Sequence, residues 1–303
     1  MPEPDNNKRE PSPISLSDGR YSLNEIVGRG GHAFVWLARD NKLNRDVLIK
    51  YPRQDGKDPK GEVEEFIREA KQLGQLLHPY IVHVFDVCES EPPYDNYSPF
   101  EKIPYMVMQF RNLGEMTPLD KKIESNDFLT LREASIYLSQ IAEALDYAHL
   151  RGIAHRDIKP GNIIVDKQIY QNQEQLCATL TDWGLAAIPS QEITDTKVVG
   201  TPHYLAPELL ATKTAGDARS DVYALAVTFI EAMYGQWIFK LAGHEYNYFD
   251  IARKHMKEAP RLSEVVSDPK LIPVFEKALA KNPDDRYQSA GEFAQAFREV
   301  LVL

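Results

Sequence analysis

One loop near the middle of the chain crowds several reactive side chains together. The stretch AHRDIKPGNIIVD, residues 154–166, places Asp157, Lys159 and Asn162 directly before a run of β-branched residues that is typical of a strand. Further on, LTDWG places Asp182 after a second strand-like run. Asn162 and Asp182 offer an amide and a carboxylate oxygen, which suits Mg²⁺ because this cation takes few protein ligands and shares the rest with phosphate and water. Asp157 has no second carboxylate beside it and could act on a hydroxyl proton.

The first part of the chain carries groups that could hold phosphates. Two strand-like runs flank a turn with three glycines whose backbone N–H groups could lie over phosphate oxygens, Gly28, Gly30 and Gly31. In the segment DVLIK, the period of two places Leu48 and Lys50 on one strand face. Glu69 lies on the following helix at the edge of its apolar face, where it could meet a lysine that reaches inward. Each of these features alone is more often structural, so the interpretation depends on their joint order and spacing.

These groups need a scaffold of strands and helices to position them. From Tyr21 the sequence alternates over short runs that predict strands at 21–28, 33–40, 46–52, 80–88 and 104–110. A helix is predicted at about 62–77, with one apolar face formed by Phe66, Ala70, Leu73 and Leu77. Residues 1–20 are rich in Pro, Ser and charge, have almost nothing to bury, and are expected to form a disordered tail.

The later part of the chain has helical signals. Thr130 and Glu133 have the spacing of a capping box, and an apolar stripe follows at Tyr137, Ile141 and Leu145. The segment 221–234 is apolar nearly all round, which predicts a helix buried at the centre of a helical lobe. We therefore expect an α+β fold with a β-rich lobe at 21–108, a mainly helical lobe at 109–303 and a ligand cleft between them.

The composition limits the classes of partner. The chain has 303 residues, 43% of them hydrophobic, and its formal net charge of -10 argues against binding of nucleic acid. The longest apolar stretch, 221–235, is too short and too interrupted to cross a bilayer, and no charged-then-apolar leader opens the chain. We expect a soluble, cytoplasmic protein without a membrane span. Its two cysteines, Cys88 and Cys177, have no metal-ligand spacing and are expected to be reduced core thiols.

Together these motifs resemble those of the eukaryotic-like serine/threonine protein kinases, most closely the bacterial members, over about residues 21–303. VGRGGHAFV resembles the family's glycine-rich loop, VLIK its nucleotide lysine segment and MVMQFRNLGEM its hinge. HRDIKPGN is similar to the catalytic loop, DWG to the metal-binding triplet and GTPHYLAPE to the end of the activation loop. Asp221 is similar to the central-helix aspartate, and Arg286 to the arginine that pairs with the glutamate of APE, here Glu208. The resemblance implies the bilobal protein-kinase fold.

The same resemblance implies transfer of the γ-phosphoryl group of ATP to Ser or Thr hydroxyls of protein substrates, with Mg²⁺ or Mn²⁺ as cofactor. Asp157 would accept or orient the hydroxyl proton, and Lys159 would steady the transferred group. Asn162 and Asp182 would hold the metal. The nucleotide would be bound by Gly28, Gly30, Gly31, Val35, Lys50, Glu69, the gatekeeper Met108, Gln109 and Arg111. His155 is expected to be a packing residue and not an acid or base.

A regulatory switch is also implied by the resemblance. The segment QEITDTKVVG resembles an activation loop with two phosphorylation sites, Thr194 and Thr196. Arg156, next to the catalytic aspartate, would help form a basic pocket that orders the loop once it carries phosphate. Autophosphorylation of this kind would use a transient homodimer.

Three positions depart from the family pattern. Ala33 stands where a third glycine is usual, Leu48 replaces the alanine that covers the adenine, and Trp183 replaces a phenylalanine. Leu48 shares the strand face of Lys50, so it is expected to narrow the pocket. None of the three changes removes a group that touches charge, and we therefore expect an active enzyme. The alternative is a catalytically weak, pseudokinase-like scaffold that binds nucleotide.

Overall fold

The computed structural model of the chain describes residues 15–17, 19–29, 33–53, 58–92, 100–110, 117–170, 173–183, 202–211, 216–239 and 248–301. These residues fall into two compact units, the first within 1–74 and 83–112 and the second within 75–82 and 113–303. The first unit carries a sheet and one long helix, and the second is mainly helical. The expected α+β class is confirmed.

The first unit is built on a six-stranded antiparallel sheet. Its strands are β1 Ser15–Leu16, β2 Tyr21–Arg29, β3 Ala33–Asp40, β4 Arg45–Pro52, β5 Val84–Ser90 and β6 Ile103–Gln109. They pair in the order β1-β2-β3-β4-β6-β5. Four of the five predicted strands are confirmed apart from their end residues. The fifth, β5, begins later than the predicted residue 80, because the preceding segment belongs to the second unit, where Ile81 bridges to Leu180.

Strand β4 divides the sheet into two chemically different faces. Val47, Ile49 and Tyr51 are fully buried in one hydrophobic cluster. Leu48 and Lys50 alternate with them and lie on the other face, as the period of two predicts. One face of the strand therefore supplies core, and the other supplies the charged group.

Helix α1, Pro59–Leu73, contacts β4, β5 and β6 of the first unit. The side chain of Asp58 caps its first turn by accepting from the backbone N–H of Gly61. Its buried apolar residues, Phe66, Ala70 and Leu73, were predicted. The predicted extension to Leu77 is wrong: the chain leaves the helix at Gly74, a poor helix former, and Leu77 is 71% exposed.

Regular structure begins before Tyr21. Ser15 and Leu16 pair with Ser22 and Tyr21, and Leu16 is only 4% exposed within the hydrophobic cluster of this unit. The predicted disordered tail, 1–20, is therefore too long at its carboxyl end. The apolar side chain of Leu16 and the hydroxyl of Ser17, which bonds to the hydroxyl of Tyr105, attach this Pro- and Ser-rich segment to the first unit.

The second unit combines a small sheet with helices. Its strands, β7 Thr117–Pro118, β8 Ile163–Tyr170 and β9 Gln173–Leu180, pair in that order. Its helices are α2 Leu119–Glu124, α3 Leu131–His149, α4 Pro207–Ala211, α5 Ala218–Tyr234, α6 Tyr248–Lys257, α7 Leu262–Val265, α8 Ile272–Ala278 and α9 Ala290–Leu301. Short 3₁₀ turns occupy Pro160–Asn162, Pro269–Leu271 and Pro283–Asp285. No helix in the described parts of the chain is long and apolar enough to span a bilayer.

The two central helices of this unit form as the sequence predicts. Helix α3 begins with the predicted capping box of Thr130 and Glu133, and its stripe of Tyr137, Ile141 and Leu145 is buried. Helix α5 is buried on nearly all sides, which matches its apolar composition. It ends at Gly235, whose φ of 63° and close approach to the Phe128 ring both exclude a side chain.

A buried histidine lies in an aromatic cluster of the second unit. The imidazole of His255 is fully buried, hydrogen-bonds through Nδ1 to the hydroxyl of Tyr223 at 2.9 Å, and packs 4.9 Å from the Phe239 ring centroid. Burial, and secondarily the positive charge of Lys281, lower its pKa from 6.5 to about 3. In the folded chain this imidazole stays neutral throughout the physiological range.

We expect the pKa shift of His255 to make stability depend on pH between about 3 and 6.5. In this pH range the imidazole of His255 binds a proton in the unfolded chain but not in the folded chain. The free energy of unfolding should therefore fall as the pH drops below 6.5. His255→Phe should flatten this fall, measured as the difference in urea midpoint between pH 7.5 and pH 5. Tyr223→Phe, which removes the same hydrogen bond but keeps the imidazole, should retain the wild-type slope. Equal slopes in all three proteins would contradict the assignment.

Candidate active site

The backbone of the loop before β8 is held in place by one buried carboxylate. Asp221, in the first turn of α5, is fully buried, and its two oxygens accept the backbone N–H groups of His155 at 2.8 Å and Arg156 at 2.7 Å. Nε2 of His149, at the end of α3, lies 2.7 Å from Oδ2. Burial alone would raise the pKa of Asp221, but the hydrogen bond and charge of His149 and the N–H donors outweigh it and lower that pKa. Asp221 is therefore a carboxylate that fixes the loop backbone.

Two residues of the site adopt a backbone conformation that is uncommon outside glycine. Arg156 has a φ of 66° and Asp182 a φ of 55°. Such conformations persist where surrounding contacts impose them, and for Arg156 the contact is the bond from its N–H to Asp221. The loop is thus held in a shape that the local sequence would not choose by itself.

His155 is a packing residue, as expected. Its ring is fully buried, its Nδ1 accepts from the backbone N–H of Asp157 at 3.3 Å, and its Nε2 donates to the carbonyl of Thr181 at 2.9 Å. Burial lowers its pKa, so the ring is neutral with the proton on Nε2. Trp183 packs edge-on against it, with ring centroids 4.8 Å apart. Nε2 therefore joins the loop to the strand end at Thr181, and Nδ1 holds the backbone of Asp157 within the loop.

Three polar side chains converge in the turn after this histidine. Nζ of Lys159 lies 2.6 Å from Oδ2 of Asp157, and Nδ2 of Asn162 donates to the same oxygen at 3.1 Å. Asp157 and Asn162 are buried, whereas the Lys159 side chain is 28% exposed. Both donors reach Oδ2 of Asp157, and together they hold the carboxylate in one orientation.

Asn162 and Asp182 lie at the same end of the β8–β9 pair. Ile163 pairs with Leu180, and the backbone N–H of Thr181 donates to the carbonyl of Asn162 at 2.9 Å, which places Asp182 next along the chain. Nδ2 of Asn162 also donates to the carbonyl of Asp157 at 2.7 Å. Because a carbonyl can only accept, this bond fixes the amide orientation and makes Oδ1 the atom of the Asn162 side chain that could bind a cation.

This donor set fits a magnesium ion. One amide oxygen and one carboxylate are the kind and number of protein ligands that Mg²⁺ takes when phosphate and water complete its shell. In the described parts of the chain, no group of three or more His, Cys, Asp and Glu side chains lies together as a transition-metal site would need.

The first unit carries a separate buried ion pair. Nζ of Lys50 on β4 lies 2.7 Å from Oε1 of Glu69 on α1, and both residues are nearly inaccessible, at 5% and 3% exposed. Removing one partner of such a pair leaves the other charge buried, at a cost of about 3–5 kcal/mol. The contact predicted from the position of Glu69 at the edge of the helix face is confirmed.

Several predicted nucleotide residues lie on the same unit. Gly28 pairs with Val35, where a Cβ on Gly28 would approach the Val35 side chain to 3.3 Å, so glycine permits this close approach. Met108 pairs with Leu48 on the face of Lys50. The backbone N–H of Gln109 donates to the carbonyl of His83 at 2.8 Å. The remaining predicted residues, Gly30, Gly31 and Arg111, lie outside the described residues.

A second ion pair confirms a long-range prediction in the second unit. The guanidinium of buried Arg286 meets both carboxylate oxygens of Glu208, at 2.8 and 2.7 Å. Burial alone would raise the pKa of Glu208, but the bonds from Arg286 and Ser220 lower it. The bidentate pair ties the start of α4 to the segment before α9.

The sequence did not reveal His149 or Glu231. His149 supports Asp221 from the end of α3, and Glu231 accepts from the hydroxyl of Tyr204 at 2.6 Å. Neither residue belongs to a local motif. The sequence did offer one signal for Glu231: it is a charged, inward-facing residue on an otherwise apolar helix.

Comparison with known proteins agrees with this geometry. The protein kinase domain family matches residues 21–298. The chain is similar to the serine/threonine-protein kinase PknB of Mycolicibacterium smegmatis, with 37% identity over 93% of this chain and 43% of the relative. It is also similar to the serine/threonine-protein kinase PknA of Mycobacterium tuberculosis, with 36% identity over 95% of this chain and 62% of the relative. The chain thus spans between two fifths and two thirds of the length of these curated relatives.

Solved structures show the same relationship. The crystal structure of the Mycobacterium tuberculosis PknI kinase domain is similar with a TM-score of 0.67 and 25% sequence identity. The similarity covers 96% of this chain and 100% of that domain. The similarity therefore extends over both units and is not confined to the motifs.

We expect Asp221→Asn to destabilise the second unit, since an amide has only one acceptor oxygen for donors that now use two. The free energy of unfolding should fall by about 2–4 kcal/mol in urea denaturation. Amide hydrogen exchange at residues 155 and 156 should accelerate. A matched control is Asp268→Asn, because Asp268 caps the N–H of Lys270 at 3.0 Å and asparagine caps equally well. Equal losses in both variants would show that Asp221 does not anchor the loop.

Proposed function

The chain belongs to the protein kinase family, and from that membership we propose that it is an ATP-dependent serine/threonine protein kinase acting on protein substrates. The observation that carries the proposal is the buried Asp157 carboxylate, held in one orientation by Lys159 and Asn162. The names of the relatives PknA and PknB support the Ser/Thr class. Lys159 in the catalytic loop and Thr201 before the APE segment resemble the serine/threonine pattern as well.

In the proposed reaction, the substrate hydroxyl oxygen attacks the γ-phosphorus of ATP as the bond to the β-phosphate oxygen breaks and ADP leaves. Oδ1 of Asp157 orients the hydroxyl and accepts its proton, since Oδ2 is already engaged by two donors. Lys159 lies beside this carboxylate and balances negative charge on the transferred group. Lys50, oriented by Glu69, holds the α- and β-phosphates.

Asn162 and Asp182 would hold Mg²⁺ or Mn²⁺, which when bound neutralises charge on the phosphate oxygens. The alternative, a catalytically weak scaffold that binds nucleotide, is less well supported, because the polar groups that the reaction needs are all present: Lys50, Glu69, Asp157, Asn162 and Asp182. We further propose that the two lobes correspond to 21–108 and 109–303 and that the chain acts in the cytoplasm. Autophosphorylation would pass through a transient homodimer.

Separate roles for two aspartates lead to a test of the proposed function. Asp157→Asn should abolish phosphoryl transfer from radiolabelled ATP to a generic basic protein, yet keep the thermal stabilisation that Mg·ATP confers. Asp182→Asn should lose the metal-dependent part of that stabilisation, because this carboxylate would hold the metal and not the acceptor hydroxyl. Loss of nucleotide binding to the same extent in both variants would overturn these roles, and transfer that persists in Asp157→Asn would overturn the proposed base.

A second prediction concerns the activation loop. Thr194 and Thr196 lie outside the described residues, whereas Arg156, their proposed partner, is held at its backbone by Asp221. Each phosphate adds about -1.5 to -2 charge and can bond to arginine, which would order the loop. Mass spectrometry after incubation with Mg·ATP should find phosphate on one or both threonines. The variant with alanine at both threonines should be much less active than wild type, with Asp157→Asn as the inactive reference. Full activity in the double alanine variant would refute regulation by phosphorylation of this loop.

A further inference from the structure

We propose that Lys281 is a site of covalent acylation, whose amine takes the acyl group of a small acyl phosphate. Lys281 lies in the second unit, between α8 and the 3₁₀ turn Pro283–Asp285. The proposal goes beyond phosphoryl transfer, since Lys281 is not among the residues assigned to that reaction. Its basis is a half-buried amine whose surroundings hold the nitrogen in place but disfavour its positive charge.

The amine of Lys281 is held by one neutral acceptor. Nζ donates to the backbone carbonyl of His255, in α6, at 2.7 Å. A carbonyl accepts a hydrogen bond from a neutral amine as well as from an ammonium group, so this bond does not require the charge. The ring of Phe239 attracts a cation, but its centroid lies 5.1 Å from Nζ, towards the outer limit of about 6 Å for that interaction. The neutral amine can therefore keep its hydrogen bond while its lone pair remains available.

The charges around Lys281 disfavour its ammonium form. Burial, and secondarily the buried guanidinium of Arg286, lower the pKa of Lys281 from 10.5 to about 8. Nη2 of Arg286 donates to the backbone carbonyl of Lys281 at 3.1 Å, which keeps the two residues together. The negative charge of Glu258 acts in the opposite direction, but its carboxylate makes ion pairs with Lys254 and Arg253. Within the described residues, Lys281 makes no ion pair of its own.

The proposed reaction is an acyl transfer to nitrogen. The lone pair of Nζ attacks the carbonyl carbon of the acyl phosphate, the bond from that carbon to the bridging oxygen breaks, and inorganic phosphate leaves with the bonding electrons. The nitrogen gives one proton to water, and the product is an amide. This amide keeps one N–H for the carbonyl of His255 and removes a positive charge beside Arg286, so we expect the fold to accept it.

The rate of acetylation at each lysine tests the proposal. The folded chain is incubated with acetyl phosphate at about pH 7.5, close to the pKa of the site, and peptide mass spectrometry measures the initial rates at Lys281 and Lys277. Lys277 is a matched control because it precedes Lys281 in α8 and is exposed. Relative to an ordinary lysine, the lowered pKa raises the neutral fraction about 200-fold, and the weaker nucleophilicity of a less basic amine reduces this gain by about tenfold. We expect Lys281 to react about tenfold faster than Lys277, or more.

The pH dependence and the unfolded chain separate the effect of the environment from that of the reagent. The rate at Lys281 should level off above a pH of about 8, whereas the rate at Lys277 should continue to rise, because an exposed amine keeps its proton to higher pH. In concentrated urea the two rates should become equal. A folded chain in which Lys281 reacts no faster than Lys277, or a rate ratio that is the same in the folded and the unfolded chain, would overturn the proposal.

Two variants test the group and its electrostatics. Lys281→Arg keeps the charge without the amine, and it should remove the fastest acetylation step from the time course of the intact mass. Glu258→Gln removes a negative charge that favours the ammonium form, so the rate at Lys281 should rise about twofold while that at Lys277 stays unchanged. Glu124→Gln makes the same change in net charge at a carboxylate that pairs with Lys121, and it should alter neither rate. A fastest step that persists in Lys281→Arg, or a rate at Lys281 that fails to rise in Glu258→Gln, would contradict the proposal.

Discussion

The structure of the site depends on one buried carboxylate. Asp221 has no contact with water, yet it remains charged because two backbone N–H groups and His149 surround it with donors. Its position in the first turn of α5, which is buried on nearly all sides, makes it a fixed reference point. From it the backbone of His155 and Arg156 is held in place, and the side chain of His155 then reaches Thr181. The turn with Asp157 and the strand end with Asp182 are thereby tied to the same helix.

The two units stabilise their buried charged side chains differently. In the first, Lys50 and Glu69 neutralise each other almost completely out of solvent. In the second, Lys159 remains partly exposed and meets a buried Asp157, whose carboxylate is further held by the amide of Asn162. The difference suits their proposed tasks. A group that binds phosphate statically can be buried and rigid, whereas a group beside a transferred phosphoryl group must stay accessible to a protein substrate.

Much of this could be predicted from sequence because it follows from local periodicity. The alternation of β4 placed Leu48 and Lys50 correctly, and the edge position of Glu69 on α1 predicted its ion pair. The bond between Glu208 and Arg286 joins distant segments, so only family resemblance could predict it. The support of Asp221 by His149 is a tertiary contact for which no local pattern exists, and no local pattern marks the positive φ of Asp182. The end of α1 was missed because an apolar spacing continued to Leu77 while the chain itself turned away at Gly74.

The two faces of β4 show how one strand can supply both a hydrophobic core and a buried charged group. Ile49 is fully buried, and a change of its volume would cost stability because side chains in a core are closely packed. Leu48, one residue away, faces Leu37 and Met108 on a surface that is only half enclosed by the unit itself. A change of volume at Leu48 should cost the fold less, because Leu48 lies outside the hydrophobic cluster that holds Val47, Ile49 and Tyr51. The period of two in β4 separates these constraints. A large residue can therefore stand at position 48 while Lys50, on the same face, keeps its partner Glu69, and with it its charge and its orientation.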